Sequence, residues 1–245
     1  MGVAYGITPQ WIDANPDKWY RIASGVVTDG LVLALDAGIS RSYPGSGTTW
    51  TDLSGNGRNA TLYNMDGANF DSADGGTLTF DGVNEYAEIT GASDLGGFAG
   101  DFSIEFWFKG GNQTGFAVFL EHYGPSVQRW AIQAESVGTT NMIWVRDGGI
   151  QFTTSGIDAL DDNWHQHVVS RVGSTITYYI DTVSRGSETY SGTLSSGTTL
   201  GIGKYSSGSY HINGNLSNVR IYSGKGLTAS EVSQNFNALR GRYGI

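Results

Sequence analysis

The chain contains no cysteine. Neither a disulfide framework nor a thiolate metal site is therefore available, and redox chemistry gives no reading of the compartment. Proline is scarce, with 4 in 245 residues, and only 15% of residues are charged; this is not the composition of a disordered chain. No segment approaches the ~18–20 consecutive apolar residues that span a bilayer. The opening Met1-Gly2-Val3-Ala4-Tyr5-Gly6 carries neither a basic n-region nor an apolar h-region, so an extracellular destination is expected to require lysis or a dedicated export machine. Positive charge is in deficit, 14 Lys and Arg against 23 Asp and Glu for a formal net charge of −9. That balance argues against nucleic acid and against an anionic membrane surface as partners, because like charges repel. Divalent cations are compatible with it.

What the chain has in abundance is glycine, 37 residues, and aromatic side chains, 12%. Many short strands joined by glycine turns around one core are the expectation. The clearest strand is 101–109, where Phe102, Ile104, Phe106 and Phe108 alternate with Ser103, Glu105, Trp107 and Lys109. Period-2 alternation marks a half-buried antiparallel strand. Burying a Phe is worth roughly 1.5–3 kcal/mol, so a one-residue slip is heavily disfavoured and the register is fixed. The opposite face, with Glu105 beside Trp107, suits a solvated surface or a shallow groove.

In chain order, residues 1–24 lack periodicity and carry Trp11, Trp19 and Tyr20 among polar residues. They read as an N-terminal arm, either docking on a partner or capping the sandwich end, followed by one domain over 25–245. Residues 31–36 form a strand apolar on both faces. A glycine-punctuated loop follows at 43–57, with Trp50 and Leu53 folding back on the core and Gly55-Asn56-Gly57 supplying positive-φ turn positions. Further strands are expected near 59–63, 77–80, 85–89, 116–122, 129–135, 141–146 and 149–154, the last two divided by the Asp147-Gly148-Gly149 hairpin signal. The segments 163–171 and 175–181 read as a hairpin, and strands near 199–203 and 214–222 complete the β pattern. Near the C-terminus the period switches: Thr228-Ala229-Ser230-Glu231 is a capping box, and Val232, Phe236 and Leu239 follow at helical spacing. About a dozen strands and one late helix exclude a doubly wound fold. They predict an all-β, two-sheet antiparallel jelly-roll sandwich with one short C-terminal helix packed on it.

The segments 78–89, 102–109, 164–168, 177–181, 200–203, 214–222 and 227–232, in this order, resemble a laminin-G-like domain of the concanavalin A-like lectin/glucanase superfold. The resemblance covers about 30–245. A narrower one, carried by residues 28–38, 43–57 and 234–240, is to virion proteins of tailed bacteriophages, aquatic ones especially. It implies a structural or adhesive part of a phage particle, displayed on the virion surface among other virion proteins and built as a homo-oligomer. A fold shared by lectins, hydrolases and structural modules does not supply function alone.

Glycoside hydrolysis needs two carboxyl groups about 5–5.5 Å or 6.5–9.5 Å apart. The resemblance implies that they stand at alternate positions of one strand, but the same-face neighbours of Glu105 are Ser103 and Trp107, so a non-enzymatic protein is expected, pending a cross-strand carboxylate. His165 and His167 share a strand face as an i, i+2 pair; with no third ligand suggested nearby, a core role outweighs a metal site. His122 and His211 are isolated. No nucleophile elbow, dinucleotide fingerprint or Walker loop is present. The resemblance also implies a rim calcium, a hard cation that takes oxygen ligands. Asp81 and Asn84 are the candidate ligands, with Asp81 otherwise a turn-making residue; Asn84, Ser217 and Asn218 stand where relatives often carry acids, which weakens the site. Trp107, Trp130 and Trp144, with Glu105, are the candidates for stacking on sugar rings. The leading expectation is a phage capsid decoration or tail-fibre component with a lectin-like exposed domain. The alternative is a carbohydrate-binding adhesin module for host surface glycans.

Overall fold

The computed structural model describes residues 25–245, apart from positions 112, 114–115, 125–126, 138, 148 and 155–158. Trp11, Trp19 and Tyr20 lie outside the described residues. The first half of the chain supplies strands β1 (Leu31–Asp36), β2 (Thr49–Trp50), β3 (Ala60–Tyr63), β4 (Phe70–Asp71), β5 (Thr77–Asp81), β6 (Tyr86–Thr90), β7 (Phe102–Lys109) and β8 (Phe116–Gly124). The second half supplies β9 (Val127–Val137), β10 (Thr139–Arg146), β11 (Gly149–Thr153), β12 (Trp164–Val172), β13 (Thr175–Ile180), β14 (Val183–Thr189), β15 (Thr199–Ile202) and β16 (Asn213–Ser223), then helix α1 (Ala229–Leu239).

These strands make two antiparallel sheets. Sheet I has the order β14-β13-β12-β7-β16-β5-β4, with β1 also paired to β16. Sheet II has the order β11-β10-β9-β8-β15-β6-β3-β2. The alternation read in 102–109 sets the register: Phe102, Ile104, Phe106 and Phe108 all enter the core between the sheets. There Phe119 of sheet II stacks on Phe106 at 5.5 Å and meets Phe108 edge-on at 4.8 Å. Trp50 is fully buried in the same core, and Gly55 and Gly57 adopt φ of 89° and 72°, as the loop signals predict.

The strand β14 has no counterpart in the sequence reading. Its seven residues, Val-Ser-Arg-Gly-Ser-Glu-Thr, form an edge, where one side of the ladder faces away from the sheet and no apolar alternation is required. The turn into it, Asp181 and Thr182, takes φ of 47° and 72°, the left-handed pair of a two-residue hairpin.

Helix α1 begins as the capping box predicts. Thr228 accepts from the Glu231 amide at 3.3 Å, and Glu231 accepts from the Thr228 amide at 2.9 Å. Val232 and Leu239 are buried against the outer face of sheet I, and Phe236 stacks on Trp107. No helix among the described residues is long and apolar enough to cross a membrane.

Candidate functional site

The outer face of sheet I is closed. Glu105 accepts from Gln166 Nε2 at 2.9 Å and from Asn235 Nδ2 of α1 at 2.7 Å. Arg220 on β16 lies 3.6 Å from Glu105 and 3.4 Å from Asp36, and Arg242 reaches Asp36 at 2.7 Å. Trp107 is held between Phe236 at 5.5 Å and Tyr243 at 4.4 Å. Both Glu105 and Trp107 have zero exposure, so the groove expected there is corrected: the helix and the C-terminal tail cover it. Trp130 and Trp144 are also fully buried, but between the sheets. Trp130 stacks on His122, and Trp144 donates from Nε1 to Glu188 at 2.9 Å. None of the three indoles, nor Glu105, is placed to touch a sugar, because period-2 alternation names two faces without saying what covers each.

The calcium candidates, Asp81 and Asn84, stand in one tight turn. Asp81 accepts from the amides of Val83 and Asn84 at 2.8 and 3.2 Å through a single oxygen, the turn-making use of the side chain. Among the described residues no group of three or more His, Asp or Glu side chains is arranged to hold a metal. His167 is buried in the core, stacked on Phe106 at 4.7 Å, and desolvation, with the neighbouring His165, holds it neutral well below the usual imidazole value. His165 is buried too, which lowers its pKa, but the hydrogen bonds to Asp181 at 2.5 Å and Asp161 at 3.1 Å prevail and raise it.

The outer face of sheet II is different. Ala60 and Leu62 on β3, and Ala87 and Ile89 on β6, point into the core, so Tyr63, Tyr86 and Glu88 point outward. Tyr63 and Tyr86 are register partners, and their rings stack at 4.6 Å with a 13° interplanar angle. Lys204 Nζ sits 4.0 Å from the Tyr86 centroid, and two neighbours this close occupy opposite faces of the ring. Tyr86 is thus fixed from both sides, and Tyr63, 36% exposed, is the platform it supports. Burial, then the Glu88 carboxylate and Tyr63, raise the Tyr86 phenol pKa.

Polar groups converge beside this stack. Lys204 pairs with Glu88 at 2.7 Å, and Tyr123 donates its hydroxyl to Glu88. Burial foremost, with that hydrogen bond, pushes the Tyr123 phenol far above its ordinary value. Gly201 on β15 faces Glu88 on one side and Glu121 of β8 on the other, so two carboxylate residues are aligned across one glycine, their Cα atoms about 10 Å apart at ~4.8 Å per strand step. Glu121 is fully buried and accepts from the Ser206 amide at 2.6 Å. A Cβ on Gly201 would meet the Tyr123 ring at 3.2 Å, so glycine lets that ring lie across the strand. The residues that build this site stand on β3, β6, β8 and the 203–212 loop; strand-by-strand reading had no means of joining them. The available signal was a Tyr at the outward position ending one strand and beginning another.

The match to known proteins agrees with this architecture. Residues 81–233 match a laminin-G-type family model of the concanavalin A-like lectin/glucanases superfamily. The chain belongs to that superfamily. No curated protein sequence matches it. Among solved structures it is similar to a sialidase of Trypanosoma rangeli in complex with the inhibitor DANA, with a TM-score of 0.62 and 14% identity over 86% of this chain and 33% of that one. A mutant of the same sialidase displaying trans-sialidase activity gives a TM-score of 0.66 at 14% identity, over 96% of this chain and 40% of that one. The binding domain of botulinum neurotoxin serotype G gives 0.63 at 14% identity, over 84% and 50%. The chain thus spans about a third to a half of the length of these structures, and the likeness establishes the fold. The non-enzymatic expectation is corrected to this extent: the similar solved structures include sialidases as well as a toxin binding domain.

Proposed function

We propose that this chain is a carbohydrate-binding module whose site is the outer face of sheet II. What supports the reading most is the Tyr63–Tyr86 stack, a partly exposed, pre-ordered aromatic surface flanked by Glu88, Lys204 and Tyr123. A sugar ring presents an apolar C–H face and a rim of hydroxyls; it needs a flat apolar partner and a few fixed donors and acceptors. The lectin-like fold favours the same reading. The test is an array of neutral and acidic glycans probed with the multimerised protein. Binding that is lost in Tyr63→Ala is the expected outcome, and a silent array at high valency contradicts the proposal.

The finer reading is that the module is displayed in repeated copies on the particle of a tailed phage, as a decoration or tail component contacting host glycans. It rests on the resemblance carried by residues 28–57 and 234–240. In this fold the second of those segments ties α1 to the start of the domain: Gln234 donates to Gly25 O at 3.0 Å, and Asn235 accepts from the Val27 amide at 2.8 Å. Mass spectrometry of purified particles tests the placement, and absence of the protein from intact virions contradicts it. Residues 1–24, with Trp11, Trp19 and Tyr20, are the proposed attachment arm. Their deletion is expected to abolish incorporation into particles without lowering the melting temperature.

A further inference from the structure

Tyr63 is one end of a longer aromatic run. Beside Tyr86 lies His211, its ring 6.1 Å away and tilted by 43°. The adjacent Tyr210 meets Phe116 of β8 at 5.9 Å and Tyr205 at 5.8 Å. Ala117 enters the core, so Phe116 faces outward like Tyr63 and Tyr86. The members of the run stand on β3, β6, the 203–212 loop and β8; in sheet II, β3 and β8 are three strand steps apart, about 14 Å at ~4.8 Å per step. Its ends are open, with Tyr63 36%, Phe116 38% and Tyr210 50% exposed.

Tyr210 also holds a backbone conformation that a bulky residue rarely takes, with φ of 55°. A strained residue is ordinarily retained because burial offsets the strain, yet this ring is half exposed and its neighbours Phe116 and Tyr205 are themselves outside the sandwich core. The strain fixes the direction of a half-exposed ring, which singles Tyr210 out for a functional hypothesis. The carbonyl of Tyr210 accepts from the Val118 amide at 2.9 Å, which anchors the strained residue against β8 and fixes where its side chain projects.

We infer that Tyr63, Tyr86, His211, Tyr210 and Phe116 form one elongated surface for an internal stretch of an uncharged linear polysaccharide, rather than a pocket for a single terminal sugar. The inference rests on the glycan-binding reading above and specifies its ligand. Length follows from the span of the run. Absence of charge follows from the electrostatics: Lys204 is already neutralised by Glu88 at 2.7 Å, and a chain of formal charge −9 repels uronate or sialate groups.

The test is titration calorimetry with neutral linear oligosaccharides, from disaccharide to hexasaccharide, on wild type, Tyr210→Gly and Tyr63→Ala. Glycine relieves the left-handed strain while removing the ring, so Tyr210→Gly is expected to melt no lower than wild type. It should bind the hexasaccharide at least ten-fold more weakly and the disaccharide unchanged, whereas Tyr63→Ala should lose both. Equal length dependence in wild type and Tyr210→Gly overturns the elongated surface while leaving glycan binding intact. Preference for sialylated over neutral chains overturns the ligand class. A wild type that binds no oligosaccharide, but forms a concentration-dependent dimer abolished by Tyr210→Gly, overturns both readings and makes the run an interface between copies.

Discussion

Trp107 and Tyr63 are both aromatic residues pointing away from the sandwich core, yet Trp107 has zero exposure and Tyr63 has 36%. The difference lies in what the chain lays over each sheet. Over sheet I it lays α1 and the C-terminal tail, and every charge beneath must then find a partner, because an unpaired buried charge costs several kcal/mol. Glu105, Arg220, Asp36 and Arg242 meet that condition together. Over the β3–β6 part of sheet II it lays no helix, and rings there are fixed by one another and by Lys204. An aromatic beside a carboxylate therefore marks an inner seal on one face and an open platform on the other.

The largest expected effect is on the sealed face. Glu105→Ala removes the acceptor for Gln166 and Asn235 and one of the carboxylates facing buried Arg220; we expect a loss of about 3–5 kcal/mol in urea unfolding. Trp107→Ala is expected to cost a similar ~3–5 kcal/mol. Tyr63→Ala on the open face should cost no more than about 1 kcal/mol. Comparable losses at Trp107 and Tyr63 would erase the distinction between the faces.

Helix capping gives a smaller, sharper version. Thr228→Ala removes one half of the capping box and should cost ~1 kcal/mol, loosening the lid over Trp107 and increasing its fluorescence quenching by acrylamide. Unchanged quenching at equal helix content would show that α1 is not what shields the indole.

The histidines provide a pH test within sheet I. The raised pKa of His165 contributes stability that is fully present below the unfolded value of about 6.5 and is lost as pH rises through the folded value. His167 acts in the opposite sense: its folded pKa is depressed, so stability falls as pH drops below about 6.5, where the unfolded chain takes up the proton. The pair is expected to give a stability maximum close to that value. Urea midpoints across pH should show the alkaline limb flattened in His165→Gln and the acidic limb flattened in His167→Phe; an unchanged profile in both would contradict the assignment.

The smallest effect expected is a gain. Thr182→Gly removes a β-branched residue from φ of 72° and should raise stability by about 0.5–1 kcal/mol. Asp181→Gly at the preceding position should instead destabilise, because its carboxylate accepts from the Gln166 amide at 2.9 Å and from His165. Melting curves of the two variants separate turn strain from side-chain bonding.

Much of the fold was legible. The Phe102–Phe108 alternation, the capping box and the glycine turns are local signals, and each forms where it was read. The strand β14 was not, because an edge needs no apolar face. The open platform was illegible for another reason: Tyr63 and Tyr86 become neighbours only when β3 pairs with β6, and Glu88 and Glu121 align only through β15. Sheet order is a long-range property that no single strand carries. Trp107 misled for the complementary reason, since its strand gives the direction of the side chain and the helix that covers it arrives more than a hundred residues later.

The central claim is that ligand binding belongs to the outer face of sheet II and structural sealing to that of sheet I. The most direct measurement is side-by-side calorimetric titration of Tyr63→Ala and Trp107→Phe with the glycan bound best on the array, each variant first checked for cooperative unfolding. The account predicts at least a ten-fold loss of affinity, about 1.4 kcal/mol, in Tyr63→Ala, and wild-type affinity in folded Trp107→Phe. Retained affinity in Tyr63→Ala together with lost affinity in a folded Trp107→Phe would contradict it.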